Sequence, residues 1–310
     1  MPKRGALINF LIYAGLCLIW STTWAMIKIG LDGTPPVVGL SLRFLIASLV
    51  LLPLVKIRGR RIPMDRASLQ LYAIVGFLNM AASYFCTYWG TQYIPSSLSS
   101  ILWATLPLFV GVFAHFMVRQ EPLTPMRIFA ILVSTLGVVR ILSDQKIVFS
   151  FEILLGSIIV IVGVIVAAFP SVYTKTRKFD YDPLVLTAMS IAIAAVVHTV
   201  IATLFGEWKL MVWSPKNLLS AAYLGVFGSV FTFLGFYTLL RRIAVVKLSF
   251  ITFITPIFAS LIGWLFLGEL ITRKEILGIV LIFSGLVLYD WRRWQALFQR
   301  RRLRELMGDG

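Results

Sequence analysis

The sequence reads Trp103-Ala-Thr-Leu-Pro107, an apolar stretch, Glu121-Pro-Leu-Thr124 and then a further apolar run. Later it reads Thr252-Phe-Ile-Thr-Pro256, an apolar stretch, Glu269-Leu-Ile-Thr272 and again an apolar run. The offset between the two copies stays between 147 and 149 residues. Other positions follow it: Lys28 with Lys175, Pro36 with Pro183, and Gly137 with Gly285. Each copy belongs to a unit of five apolar runs. Five is odd, so the second copy is expected to enter a membrane in the opposite sense to the first. Inverted repeats of this kind give many secondary transporters two-sided access to one central site.

The bulk composition agrees. Of 310 residues, 59% are hydrophobic and 14% charged, where a soluble domain carries about 25% charged residues. Mean hydropathy is +0.90. A helix needs about 20 apolar residues to cross a bilayer. Ten such runs lie near 8–31, 36–56, 69–92, 96–118, 126–142, 153–174, 184–206, 218–240, 246–268 and 275–291; they are called spans 1 to 10. The expected fold is all-α integral membrane: ten transmembrane helices as two inverted five-helix repeats, both termini cytoplasmic. The first repeat takes residues 1–145, the second 146–291, and 292–310 form a basic cytoplasmic tail.

The net charge of +16 would suit a nucleic-acid partner, but its placement argues against one. With the N-terminus inside, 21 of the 29 Lys and Arg fall in inner segments. Lys146, Lys209, Lys216, Arg273 and Lys274 fall in outer loops, and Lys28, Arg43 and Arg140 lie within spans. A bias of that size over short loops sets orientation. The charge is therefore read as a topology signal, with the bilayer and a small-molecule substrate as the partners. The tail, with Trp291, Trp294, Leu297 and Phe298 among its arginines, suits an interfacial segment on anionic lipid. The first apolar run is too long for a cleaved signal and is read as a retained span. Cys17 and Cys86 lie within spans and imply neither a disulfide framework nor a metal site. Oligomeric state is left open.

Some matched residues have local roles. Thr124 before Pro125 is an N-cap with proline at the first helical position, and Thr272 with Glu275 forms a capping box. Glu121 and Glu269 read as punctuation at span ends. Small residues such as Gly156, Gly163, Gly225 and Gly228 are expected to permit close helix packing.

The strings Trp20-Ser-Thr-Thr-Trp24-Ala-Met-Ile-Lys28-Ile-Gly30, Pro35-Pro36, Leu42-Arg43-Phe44-Leu45, Gln92-Tyr93-Ile-Pro95, Leu102-Trp103-Ala-Thr-Leu-Pro107-Leu-Phe109 and Phe266-Leu-Gly-Glu269 occur in that order. Together, over about residues 8–291, the chain resembles the EamA-type permeases of the drug/metabolite transporter superfamily. The resemblance implies ten helices, cytoplasmic termini and transport of small metabolites, often export of amino acids or similar compounds. It does not name the cargo. One departure is Arg119-Gln120-Glu121, where the second half has Gly268-Glu269.

Several residues are candidates for a substrate pathway. Pro107 and Pro256 lie mid-span, and each frees the carbonyl four residues earlier, at Trp103 and Thr252. In lipid those carbonyls need a partner or a watered cavity, so the pair reads either as broken helices around a central site or as packing kinks. Span 3 carries Asn79, Ser83, Thr87 and Thr91 at a spacing of four, one polar helix face. Ser100 and Trp103 in span 4, Trp264 in span 9, and Trp20 and Trp24 in span 1 would add hydroxyls and aromatics. Arg43 lies roughly 10 Å inside span 2, and an intramembrane arginine is a functional candidate; its repeat mate is Ser190. A structural or gating role and binding of a substrate carboxylate are both open to it. Lys28 and Arg140 are expected to snorkel. His115 and His198 could carry coupling protons, because all 13 Asp and Glu fall in loops or near span ends.

No Walker-type loop, H-E-x-x-H pair or G-x-S-x-G elbow is present, so neither an enzyme nor a cofactor is expected. The expected function is a permease of the cell inner (plasma) membrane that exports amino acids or related metabolites by alternating access. The alternatives are a proton-coupled drug/metabolite antiporter and a non-transporting sensor or scaffold.

Overall fold

Apolar runs of this length can satisfy their backbone in lipid only as helices or closed barrels, and here each becomes a helix. The structure, a computed structural model, describes residues 2–119, 121–141, 150–177, 181–267 and 272–291. The division expected at 145/146, Glu269, and the basic tail from 292 lie outside those residues, as do the side chains of Glu275 and Trp264. Among the described residues, seven helices are long and apolar enough to cross a membrane: Gly5–Leu31, Pro36–Ile57, Arg66–Tyr93, Leu98–Met117, Phe151–Thr176, Pro183–Leu204 and Pro215–Leu240. Three more, Pro125–Ile141, Ile251–Leu267 and Arg273–Tyr289, have 17 residues each, the short end of what spans a bilayer. A turn of helix at Val245–Ser249 precedes Ile251–Leu267. All ten expected runs thus coincide with helix. Large apolar side chains such as Leu49, Phe116, Leu132 and Leu136 face outward, as lipid-facing positions do.

Local sequence sets the boundaries. Asp65 caps span 3 by accepting from the Ala67 and Ser68 amides. Asp182 followed by Pro183, and Ser214 followed by Pro215, do the same for spans 7 and 8, a polar N-cap before proline at the first helical position.

Equivalent spans of the two halves pack on one another: span 2 against span 7, and span 5 against span 10. Spans 3 and 6 form a further pair, matched by spans 8 and 1. The detailed contacts repeat too. A Cβ on Gly76 would meet Ile193 Cβ at 2.9 Å and the Ser190 carbonyl at 3.1 Å; one on Gly225 would meet Ile46 Cβ at 2.9 Å and the Arg43 carbonyl at 3.0 Å. Spans 3 and 8 both carry π-helical segments, Ile74–Ser83 and Val226–Phe231. Such segments mark functional sites often enough to be informative.

Lys28 does not merely snorkel. Its ammonium donates to the carbonyls of Thr91 at 3.1 Å and Ile94 at 3.4 Å, closing the end of span 3. Its mate Lys175 donates to Leu240 at 2.7 Å and Ile243 at 2.6 Å, closing span 8. Each lysine satisfies carbonyls that a helix end leaves orphaned. Lys175 is more buried and its bonds are shorter. Lys175→Met should therefore cost about 1–3 kcal/mol and Lys28→Met less. Melting temperatures of the two variants in detergent check that order.

Candidate functional site

A cavity of about 100 Å³ lies among spans 1, 2, 3, 4, 6, 8 and 9. One water needs roughly 10–15 Å³ on this measure, so the space suits a few waters or one small metabolite. The candidates Trp20, Trp24, Arg43, Asn79, Thr87, Ser100, Trp103 and Thr252 all line it.

The walls are ordered by ring packing and hydrogen bonds. Trp24 and Trp103 meet with centroids 6.3 Å apart, and Trp103 Nε1 donates to Thr87 Oγ1 at 3.2 Å. Trp20 rests against Phe233 and Phe236 at 6.3 and 6.0 Å. Asn79 Nδ2 donates to the Tyr237 hydroxyl at 3.2 Å. Buried polar groups are thereby paired, as an apolar surround requires.

Arg43 is 1% exposed and spans the interface between the halves. Its Nε donates to Ser229 Oγ at 2.8 Å, Nη2 to the Gly228 carbonyl at 2.6 Å, and Nη1 to the Tyr88 hydroxyl at 3.2 Å. Its guanidinium lies 4.7 Å from the Tyr84 ring centroid. Gly228 and Ser229 belong to the π-helical segment of span 8, so Arg43 takes up polar groups where the regular ladder is interrupted. These hydrogen bonds go to neutral groups. A guanidinium has five N–H donors in a fixed fork, and Arg43 lines the cavity as well.

Other candidates fall elsewhere. Ser83 is fully buried and does not line the cavity; a Cβ on Gly163 would sit 3.0 Å from its carbonyl, which puts it against span 6. Ser83 is the last residue of the π-helical segment Ile74–Ser83. Pro107 and Pro256 are buried but do not line the cavity; Trp103 and Thr252, whose carbonyls they free, do. Span 4 is interrupted at Ala104–Thr105, and the Thr252 carbonyl accepts from the Thr255 hydroxyl at 3.3 Å. Trp264 lies outside the described side chains. His115 is exposed, its Nδ1 accepting from the Leu123 amide at 3.2 Å. His198 is 1% exposed and stacks on Phe44 at 5.9 Å, and neither nitrogen has a partner. Neither histidine lines the cavity. No cluster of metal-ligating residues occurs among the described residues.

The lining also includes Ser249 on the polar face of span 9, and residues that polarity alone does not single out: Ala167, Ser171, Phe233, Phe236 and Thr255, with Tyr84 and Leu106. Each is a repeat mate of another lining residue. Trp20 pairs with Ala167 and Trp24 with Ser171 at an offset of 147; Tyr84 pairs with Phe233, Thr87 with Phe236, Ser100 with Ser249, Trp103 with Thr252 and Leu106 with Thr255 at 149. Tyr84 and Phe233 touch each other edge to face at 5.7 Å, as equivalent residues do only where the two halves meet.

Comparison with known proteins agrees with this architecture. The sequence matches the EamA-like transporter family over residues 7–143 and again over 154–289. It is similar to the uncharacterized transporter YoaV of Bacillus subtilis (strain 168), 27% identical over 87% of this chain and 92% of that protein. It is similar also to the uncharacterized inner membrane transporter YedA of Escherichia coli (strain K12), 27% identical over 93% of this chain and 90% of that one. One chain of known crystal structure shares the fold, with a TM-score of 0.75 at 20% identity over 95% of this chain and 98% of its own.

Proposed function

The chain belongs to the EamA-like transporter family, and on that premise we propose that it is a permease of the cell inner (plasma) membrane that exports small organic metabolites. Amino acids or related carboxylate-bearing compounds are the substrate class, and alternating access of two inverted halves is the mechanism. The carrying observation is that repeat-equivalent residues of both halves wall the central cavity together. A site between inverted repeats can be exposed to either side by rocking one half against the other. The charge bias supports cytoplasmic termini, and the name of YedA, an inner membrane transporter, supports the location.

The substrate class follows from the walls. Trp20, Trp24 and Trp103 supply apolar faces, Thr87 and Ser100 hydroxyls, and Arg43 a cation hydrogen-bonded to neutral groups. A carboxylate is the complementary ligand group. Uncoupled, facilitated movement is the simpler mechanism. His115 and His198 stand off the cavity, and a coupling group has to sense the substrate site.

Purified protein in proteoliposomes, given a panel of amino acids and related metabolites under imposed pH gradients, tests this. Flux of at least one compound, insensitive to the gradient, is expected; no flux from folded protein contradicts the reading. Trp103→Ala should lower that flux by roughly tenfold or more, about 1.4 kcal/mol, with the protein still folded. Unchanged flux would remove Trp103 from the path.

A further inference from the structure

A second cavity, of about 880 Å³, is lined by Met117, Val118, Arg119, Glu121, Thr174, Lys175, Thr176, Tyr181, Leu240 and Arg241. It follows the central cavity along the same helices. In span 6, Ala167 and Ser171 line the first, and Thr174 and Lys175, within one further turn, line the second. In span 8, Phe236 lines the first and Leu240 the second. Residues four apart share a helix face, so one continuous face of each helix passes from one cavity to the other. Thr174 is fully buried, and its hydroxyl, on the second cavity's wall, has no partner.

The opening turn of span 9 stands between the two. Leu248 and Ser249 line the central cavity. Three residues earlier, the Val245 amide donates to Glu121 Oε1 at 3.0 Å and the Val246 amide to Oε2 at 3.3 Å. Glu121, 8% exposed, comes from the first half and itself lines the second cavity. Its carboxylate is thus not simple punctuation at the end of span 4. It crosses between the halves and pins the start of the helix that partitions the two spaces.

We propose that the second cavity is the inner vestibule of the transport path, and that Glu121 is the latch holding the partition between vestibule and central site. The inference rests on the permease reading above. Opening toward the vestibule requires the Val245–Ser249 turn to move, which breaks both bonds to Glu121. Arg119, Lys175 and Arg241 on the vestibule wall suit the same carboxylate-bearing solute that Arg43 faces further in. Glu121 acts through the helix it holds, as a positioning residue, and does not bind the solute.

Thiol labelling reads the partition without any substrate. In full-length protein with Cys17→Ala and Cys86→Ala, Ser171→Cys places a reporter on the central cavity and away from the latch. A charged, membrane-impermeant methanethiosulfonate is added to the cytoplasmic face of oriented vesicles. Glu121→Gln keeps the shape but can accept only one of the two amides. It should raise the labelling rate at least about tenfold, the effect of losing a charge-assisted hydrogen bond from the closed state. Val245→Pro deletes one donor at the first helical position, where proline fits, and leaves every charge in place. It should raise the rate in the same direction, and it alone decides if Glu121→Gln fails to fold. Unchanged rates in folded variants, or a rise only from the opposite face, would overturn the latch. Raised rates without flux of any compound would leave the latch standing and remove the permease reading instead.

Discussion

Arg43→Met is expected to lower transport by at least about 100-fold, roughly 2.7 kcal/mol, and to cost about 3–5 kcal/mol of stability in detergent. The substitution leaves the Gly228 carbonyl, Ser229 and the Tyr88 hydroxyl without the donor that joins them. Each buried polar group left unpaired costs about 1–3 kcal/mol. The Tyr84 ring also loses its cation. Arg43→Lys separates two roles. An ammonium is a point charge and cannot bridge Ser229, Gly228 and Tyr88 in the guanidinium's fixed fork. If Arg43 chiefly holds span 2 to the interrupted ladder of span 8, the lysine variant loses both transport and melting temperature. If it chiefly receives a carboxylate, that variant keeps much of its transport and shows a raised KM. Transport and melting temperature both unchanged in Arg43→Met would refute both roles.

Gly156→Val should abolish folded protein, or destabilise it by at least about 3 kcal/mol. Spans 3 and 6 approach backbone to backbone here. A Cβ at Gly156 would sit 2.8 Å from the Gly90 carbonyl, and one at Gly90 would sit 2.6 Å from the Gly156 carbonyl. A carbonyl inside a helix cannot rotate aside as a flexible side chain can, so the helices must separate. Small residues are what permit such contact in membranes. Separation would also dismantle the cavity, because Asn79 and Thr87 on span 3 and Ala167 and Ser171 on span 6 all line it. Gly15→Val is the control, with nothing within 4 Å of its added Cβ. Yield of monodisperse protein and its melting temperature check the pair.

The architecture was legible because its signals are long and redundant. Apolar runs mark helices wherever the backbone must satisfy itself, and proline after Asp182 or Ser214 marks their starts. The site was legible where polarity stood out against lipid, as at Asn79, Thr87, Trp103 and Arg43. It was not legible where spacing alone does not say which neighbour a residue meets. Ser83 shares the four-residue spacing of Asn79 and Thr87, yet it lies against span 6 and does not line the cavity. Contacts between distant ends were hidden as well. Glu121 reads as a local turn residue, yet it caps a helix 124 residues away; Lys28 reads as a snorkelling side chain, yet it closes span 3. Ala167, Ser171, Phe233 and Phe236 carry no polar or charged signal strong enough to notice. The repeat offset alone identifies them, as mates of Trp20, Trp24, Tyr84 and Thr87. The same pairing shows where the symmetry is broken: tryptophans of the first half correspond to alanine, serine and threonine of the second. That asymmetry puts all three lining tryptophans in the first half and is the first place to alter in order to change cargo.

Counterflow tests the central claim most directly. Proteoliposomes are preloaded with an unlabelled carboxylate-bearing metabolite that the flux panel identifies, and labelled compound is added outside. A carrier that alternates access around one central site should give a transient overshoot of label inside, lost in Arg43→Met and absent when the preload is omitted. Folded protein that gives no overshoot with any transported compound would contradict alternating access at this cavity.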